Sequence, residues 1–178
     1  EGQYCVGCEE FKREADLVDG CCPEHPNAEL QRVEEENYFF KLSNYQDRLL
    51  TLIENGDLTI YPDYRKNEVV SFIKMGLEDF SISRLKEKMP WGIAVPGDEN
   101  QVMYVWFDAL VNYISTLGWP DMKDDKESDL FDRYWINGNP TQYCGKDNNR
   151  QQSAMWQAML MSAGIENSKH IIIDGFIT

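Results

Sequence analysis

The tightest constraint on this chain lies in its first 25 residues, where Cys5-Val-Gly-Cys8 and Cys22-Pro-Glu-His25 form two pairs of soft ligands. Each pair leaves two residues between its members, and 13 residues separate the pairs. Two short chelate loops joined by a longer excursion supply the corners of a tetrahedral zinc site. Disulfides and merely buried thiols are the competing readings. A reducing compartment disfavours the first, and the polarity of the flanking residues disfavours the second. Cys21 competes with Cys22 for the third position. The spacing favours Cys22, because its pair mirrors Cys5 and Cys8 and Pro23 suits a tight turn. A site closed by Cys5, Cys8, Cys22 and His25 leaves no open position, so its Zn2+ is structural and folds a knuckle. Cys144 lies far along the chain and reads as a core thiol.

The knuckle segment has little apolar periodicity, so the rest of the 178 residues must carry the core. Hydrophobic residues make up 42% and aromatics 12%, too apolar a mixture for disorder. A formal net charge of -14 excludes a broad cationic surface for phosphate backbones. Any RNA contact must be local or lie outside this chain. No run approaches the roughly 20 apolar residues of a membrane span, and no signal peptide is evident, so a cytoplasmic chain with no membrane partner is expected. It opens at Glu1 without Met and stops at Thr178 directly after an apolar run. Both ends read as cuts through a larger protein.

Tyr38, Leu42, Tyr45, Leu49 and Leu52 recur at helical spacing and predict a helix ending near Asn55-Gly56. Val69, Phe72, Ile73 and Leu77 predict a second. From about Pro90 the texture changes. Gln101 to Trp106 reads as a buried strand, Phe107 to Leu117 as a helix, and Asp121 to Asp132 as a charged loop. Thr141 to Gly145 then predicts a strand, Asp147 to Ala163 a helix closed by Gly164, and His170 to Ile173 a third strand. Strand, helix, strand, helix, strand is an α/β pattern with a parallel sheet. Ligands of such sheets gather at the carboxyl ends of the strands, here near Trp106, Gly145 to Asp147 and Asp174-Gly175.

Six segments carry a resemblance: Glu35-Glu-Asn-Tyr-Phe-Phe-Lys-Leu42, Asn67-Glu-Val-Val-Ser-Phe72, Gly76-Leu-Glu-Asp-Phe-Ser-Ile-Ser-Arg84, Trp91-Gly-Ile-Ala-Val-Pro96, Tyr104-Val-Trp-Phe-Asp-Ala109 and Gly145-Lys-Asp147. In this order, after a Cys, Cys, Cys, His knuckle, they resemble bacterial-type methionyl-tRNA synthetases along the whole chain. The resemblance implies the second half of a Rossmann-like parallel sheet, preceded by a zinc-knuckle and helical connective-peptide insertion. The implied limits are 1–30 for the knuckle, 31–83 for the helical part of the insertion and 84–178 for the catalytic half. Such an enzyme activates L-methionine with ATP and Mg2+ to methionyl-adenylate, then transfers methionine to tRNA(Met).

Because the substrate carboxylate attacks the α-phosphate itself, the protein's task is positioning and charge stabilisation. By resemblance Arg84 serves the methionine and adenylate site, a role suited to a guanidinium; a surface ion pair with Glu87 or Asp79 is the plainer reading. Trp106, Ala109, Leu110 and Tyr113 stand where the family builds its methionine pocket, although spacing alone reads as core packing. Gly145 and Asp147 stand on the adenosine side, and Asp147 also reads as a helix N-cap. Gln152 stands where relatives carry a His, and its amide keeps hydrogen bonding without titrating near neutrality.

Two family motifs are absent, the His-Ile-Gly-His type and the Lys-Met-Ser-Lys-Ser type that hold the triphosphate; His25 and His170 lie in neither. The chain alone is therefore expected to be inactive, with an N-terminal half and a C-terminal anticodon-binding region outside it. A zinc-containing binding module is the alternative of another class. A synthetase of the Leu, Ile or Val type is the third reading, and Trp106 with Tyr113 argues for methionine over it.

Overall fold

The computed structural model describes residues 2–8, 10–12, 16–33, 35–120 and 130–175, and the chain divides into two compact units, 1–37 and 38–178. In the first, β1 (Gly2–Cys5) is the centre of a three-stranded antiparallel sheet between β2 (Glu10–Lys12) and β3 (Gln31–Val33). Val18 and Cys21 exchange backbone hydrogen bonds of 2.9 Å across Asp19-Gly20. Both central residues have positive φ, 51° and 78°, as a type I′ turn requires. Among the described residues of this unit only Cys5 and Cys22 are fully buried. An apolar core is absent from that set, and a unit this short needs another source of stability.

The second unit opens with β4 (Phe39–Phe40) and a 3-10 turn, Leu42–Tyr45, that leads into α1 (Gln46–Glu54). The predicted stop is observed: Asn55 caps α1, and Gly56 takes a φ of 82° that a side chain would resist. After β5 (Thr59–Tyr61) comes α2 (Asp63–Lys74), with an acid in its first turn and a base in its last, matching the helix dipole. Leu49 and Ile53 of α1 and Val69 and Ile73 of α2 are buried against Ile60, Ile171 and Ile173. Each such side chain contributes on the order of 1.5–3 kcal/mol by leaving water. Gln46 accepts the Leu77 N–H at 2.9 Å, tying the start of α1 to the segment leaving α2.

Next come β6 (Phe80–Ser81), β7 (Ser83–Leu85), β8 (Ala94–Val95) and β9 (Asp98–Met103). The strand expected at Gln101 to Trp106 is shifted, and it is not parallel. It ends at Met103 and pairs antiparallel with both β7 and β8. The reason is local: Pro96-Gly97, with Gly97 at φ 84°, turns the chain straight back on itself. Trp106 consequently stands in the first turn of α3 (Val105–Leu110), which α4 (Asn112–Ser115) continues after a kink at Val111.

The parallel sheet consists of β10 (Thr141–Gly145), β11 (His170–Asp174) and β5, in that order. Its third strand thus comes from the segment read as helical. Thr59-Ile60-Tyr61 is three residues long, but β-branched and aromatic, and it lies between two helices. Between β10 and β11 the predicted helix divides into a 3-10 turn (Lys146–Asn148), a π turn (Gln151–Met155) and α5 (Trp156–Ala163). Gly164, at φ 70°, closes it. A second apolar cluster joins Leu110 and Ile114 to Trp135, Trp156 and Leu160. The charged loop expected at 121–132 lies outside the described residues up to 129, and Asp132–Ile136 forms another π turn. No helix of the described residues is long and apolar enough to cross a membrane.

Candidate functional site

The antiparallel sheet and the Asp19-Gly20 turn bring Cys5, Cys8, Cys22 and His25 together, with all four ligand atoms within 4.8 Å of one another. These four can hold a metal ion. Cys8 Sγ lies 3.4 Å from Cys22 Sγ and 3.2 Å from His25 Nδ1, and His25 Nδ1 lies 3.7 Å from Cys5 Sγ. Cys21 is outside the group, and all five cysteines are free thiols. Gly7 makes the group sterically possible, since a Cβ there would fall 2.6 Å from the His25 ring. Burial alone would raise the Cys22 thiol, but hydrogen bonds from His25 and Cys8 outweigh it and bring it down to about 6. Cys8 moves the other way, to about 12, through burial and its contacts with Cys22 and the Glu24 carboxylate.

In the second unit the Ser-Ile-Ser-Arg segment explains the placement of Arg84. Its Nη1 donates to Ser81 Oγ at 2.7 Å and to the Ser83 carbonyl at 2.8 Å, while Cζ lies 4.3 Å from the Tyr104 ring centre. The guanidinium is buried and fixed from two sides. Of the plainer ion-pair partners, Asp79 instead meets Lys41 at 3.0 Å and accepts from Ser43. Burial would raise that carboxyl; the Ser43 and Lys41 contacts overcome it and hold it below its usual value.

Trp106 and Ala109 are half-buried on α3, and Leu110 is buried in the cluster that contains Trp156. Tyr113 meets Gln152 directly: the Gln152 amide donates to the phenol oxygen at 2.8 Å. Gly145 ends β10 in register with Asp174, and it is Gly145, not Asp147, that caps the following turn. A Cβ on Gly145 would meet Asp147 Oδ1 and approach the Gly175 carbonyl to 3.3 Å. Asp147 is exposed and accepts from Asn148 at 3.1 Å. Cys144, buried beneath this edge, has its thiol pushed up to about 11 by burial and by the Asp147 and Asp174 carboxylates. The carboxyl edge of the sheet is therefore anionic and rich in acceptors.

An apolar cavity of 230 Å³ lies against Phe40, Phe107, Val111, Trp119 and Trp156, behind the Tyr113 ring that Trp156 meets. No charged residue and none of the predicted methionine residues lines it. Its lining offers none of the charged partners that a zwitterion or a nucleotide needs.

The family described as tRNA synthetases class I (M) matches residues 1–178. The chain belongs to the class I (M) tRNA synthetases. Among similar proteins of this family, the methionine–tRNA ligase of Thermosynechococcus vestitus is 44% identical over 179 residues, which cover 100% of this chain and 33% of the relative. The chloroplastic/mitochondrial methionine–tRNA ligase of Arabidopsis thaliana is 45% identical over 180 residues, covering 100% of this chain and 28% of the relative. The structure of Mycobacterium tuberculosis methionyl-tRNA synthetase bound by methionyl-adenylate matches with a TM-score of 0.85 at 42% identity, over 99% of this chain and 34% of that one. The chain thus has the class I synthetase fold, helices on a parallel sheet. It spans about a third of the length of the curated relatives it matches.

Sequence reasoning missed four residues that support these two candidate groups. Trp156 packs its ring 5.8 Å from that of Tyr113, one turn beyond Gln152, and helical spacing from Gln152 could have found it. Ser81 and Ser83 hold Arg84, and the signal for them is the two serines that precede it in Ser-Ile-Ser-Arg. Gly7 admits His25 to the metal cluster. Its place inside the first Cys pair was the cue.

Proposed function

We propose that this chain supplies the methionine-binding wall and the adenosine edge of a methionyl-tRNA synthetase, which activates methionine with ATP and Mg2+ and transfers it to tRNA(Met). The observation that carries the reading is the hydrogen bond between Gln152 and Tyr113. It joins two residues, 39 positions apart, that the resemblance assigned independently to one pocket. Tyr113 and Trp106 offer aromatic surface suited to a thioether, with contacts worth about 0.3–1.5 kcal/mol each, and the buried Trp156 backs Tyr113. Gln152 Oε1 and Trp156 Nε1 are buried with no protein partner among the described residues, an acceptor and a donor available to a ligand. Leu110 backs this wall from the core, and Ala109 keeps it shallow.

In this proposal Arg84 stabilises negative charge on the carboxylate and phosphate as they react. Its guanidinium is already fixed by Ser81, Ser83 and Tyr104, so little ordering cost remains. On the adenosine side, the missing Cβ of Gly145 makes room for the Asp147 side chain, whose exposed carboxylate accepts from ribose hydroxyls. Cys5, Cys8, Cys22 and His25 hold structural zinc. Tetrahedral Zn–S and Zn–N bonds place S and S about 3.8 Å apart and S and N about 3.6 Å apart; the Cys8–Cys22 and three Cys–His25 separations are 3.2–3.9 Å, and all four atoms lie within 4.8 Å of one another. We read 1–83 as the connective-peptide insertion, with the knuckle over 1–30, and 84–178 as the returning catalytic half, whose parallel sheet β5 of the insertion segment extends, in a reducing cytoplasmic setting. The His-Ile-Gly-His and Lys-Met-Ser-Lys-Ser type motifs are missing from 1–178, so this chain alone should form no adenylate.

The test is methionine-dependent pyrophosphate exchange by a full-length synthetase carrying this segment. Tyr113→Phe removes the Gln152 acceptor and should raise the methionine KM about 3–10-fold while the ATP KM stays put, the cost of one stranded buried amide. An unchanged methionine KM would sink the assignment.

A further inference from the structure

Gln152 sits inside the π turn Gln151–Met155, where backbone pairing slips from the fourth residue to the fifth: Trp156 N–H bonds the Gln151 carbonyl. Such turns widen a helix and recur at functional sites. Here one side chain closes the turn. Gln157, with no exposed surface, donates from Nε2 to the Gln152 carbonyl at 3.0 Å.

The rest of the Gln157 amide is saturated. Nε2 also donates to Ser168 Oγ at 3.2 Å, while Oε1 accepts from Ser168 N–H and from Asn167 Nδ2, each at 3.1 Å. Two donors and two lone pairs are the whole capacity of a glutamine amide. Asn167 Nδ2 also reaches the Gln157 carbonyl at 2.9 Å, and Gln142 of β10 donates to Ser168 Oγ at 3.4 Å. The backbone N–H of Ser168 can only donate, so it sets which way the Gln157 amide faces. From β10 and the segment before β11, hydrogen bonds therefore run without a break through Gln157 to the backbone of Gln152, whose side chain then meets Tyr113.

An apolar residue would fill this space without the desolvation cost of a buried amide. A buried polar network that is fully satisfied is suited to fixing one geometry. Resting on the methionine-site reading above, we propose that Gln157 is a positioning residue for that site. By holding the Gln152 carbonyl within the π turn, it sets the height and angle at which the Gln152 amide meets Tyr113, and so tunes recognition of the amino-acid side chain. Gln157 itself touches no substrate.

The experiment is a double-mutant cycle in a full-length synthetase carrying this segment, read by pyrophosphate exchange with methionine and with norleucine, in which a methylene replaces sulfur. Gln157→Met keeps the shape and removes the hydrogen bonds. It should raise the methionine KM about 5–20-fold and narrow the methionine-to-norleucine preference, with ATP KM unchanged; in a Gln152→Ala background it should change methionine KM by less than about 2-fold. Equal effects in both backgrounds, or a parallel rise in ATP KM, would overturn the positioning role. Where Gln157→Met yields no folded enzyme, Ser168→Ala decides. It removes one anchor of the same amide and should raise methionine KM about 2–4-fold, again only with Gln152 present; additivity there overturns the role equally. Should Gln152→Ala alone leave methionine KM untouched, the methionine-site reading itself fails, and that result is distinct from additivity.

Discussion

In the 1–37 unit all four ligand atoms come from residues 5 to 25, whereas Tyr113 and Gln152 of the 38–178 unit meet across 39 positions. The first unit buries two thiols and little else among its described residues; the second has two apolar clusters, one under the parallel sheet and one around Trp156. A site made of neighbours in sequence can organise its own surroundings. A site made of distant segments must be carried by a core that folds first in energetic terms, and its chemistry then adds to a scaffold that is already stable.

This contrast is broken most directly by removing metal. Structural zinc contributes roughly 10–16 kcal/mol of apparent binding free energy in small zinc domains, more than a unit without an apolar core can replace. Chelation should abolish hydrogen-exchange protection in Gly2–Cys5 and Gln31–Val33 while His170–Asp174 keeps it. On the proposed zinc reading, replacing Cys22 should lose the metal, and Cys21→Ser should retain it. If His170–Asp174 lost protection together with the knuckle, the two units would not differ in the way described.

The converse substitution is Ile173→Ala, in the central strand of the parallel sheet and 1% exposed. Truncation there leaves a cavity and should cost about 2–5 kcal/mol in urea unfolding of the 38–178 unit. Zinc content should remain one per chain. Loss of zinc in the same variant would show the knuckle borrowing its stability from the sheet.

The same contrast decides how much could be read from the residues. Cys5, Cys8, Cys22 and His25 were legible because ligand spacing is a property of a short chain segment, and so were β10, β11 and the bodies of α1 and α2, although Tyr38 lies before β4, Leu42 and Tyr45 form a 3-10 turn and Leu77 lies beyond α2. The pairing of β9 was not, because a buried strand looks the same with parallel or antiparallel neighbours; only Pro96-Gly97 distinguished them. β5 was hidden by its length of three residues between two helices. Tyr113 with Gln152 was reachable through resemblance alone, since nothing in either segment announces the other. The division of the 146–163 helix into three kinds of turn had no signal in apolar periodicity.

The smallest expected effect compares one residue type in both settings. Hydrogen bonds from His25 and Cys8 overcome burial to bring the Cys22 thiol down to about 6, whereas burial and the Asp147 and Asp174 carboxylates push Cys144 up to about 11. In the unfolded chain Cys144 ionises near the ordinary value of 9.0. The folded state therefore resists its ionisation, so Cys144 contributes stability that is complete below about pH 9 and is lost as pH rises through 11. Urea midpoints of the metal-loaded chain measured from pH 8 to 11 should fall more steeply than those of Cys144→Ala. Tyrosines and lysines titrate equally in both proteins, and the packing lost with the sulfur shifts the variant by a constant, so the difference in slope isolates this thiol. Parallel curves would mean that the edge above Cys144 is neither anionic nor closed to water, and would remove the electrostatic ground for placing ribose hydroxyls beside Asp147.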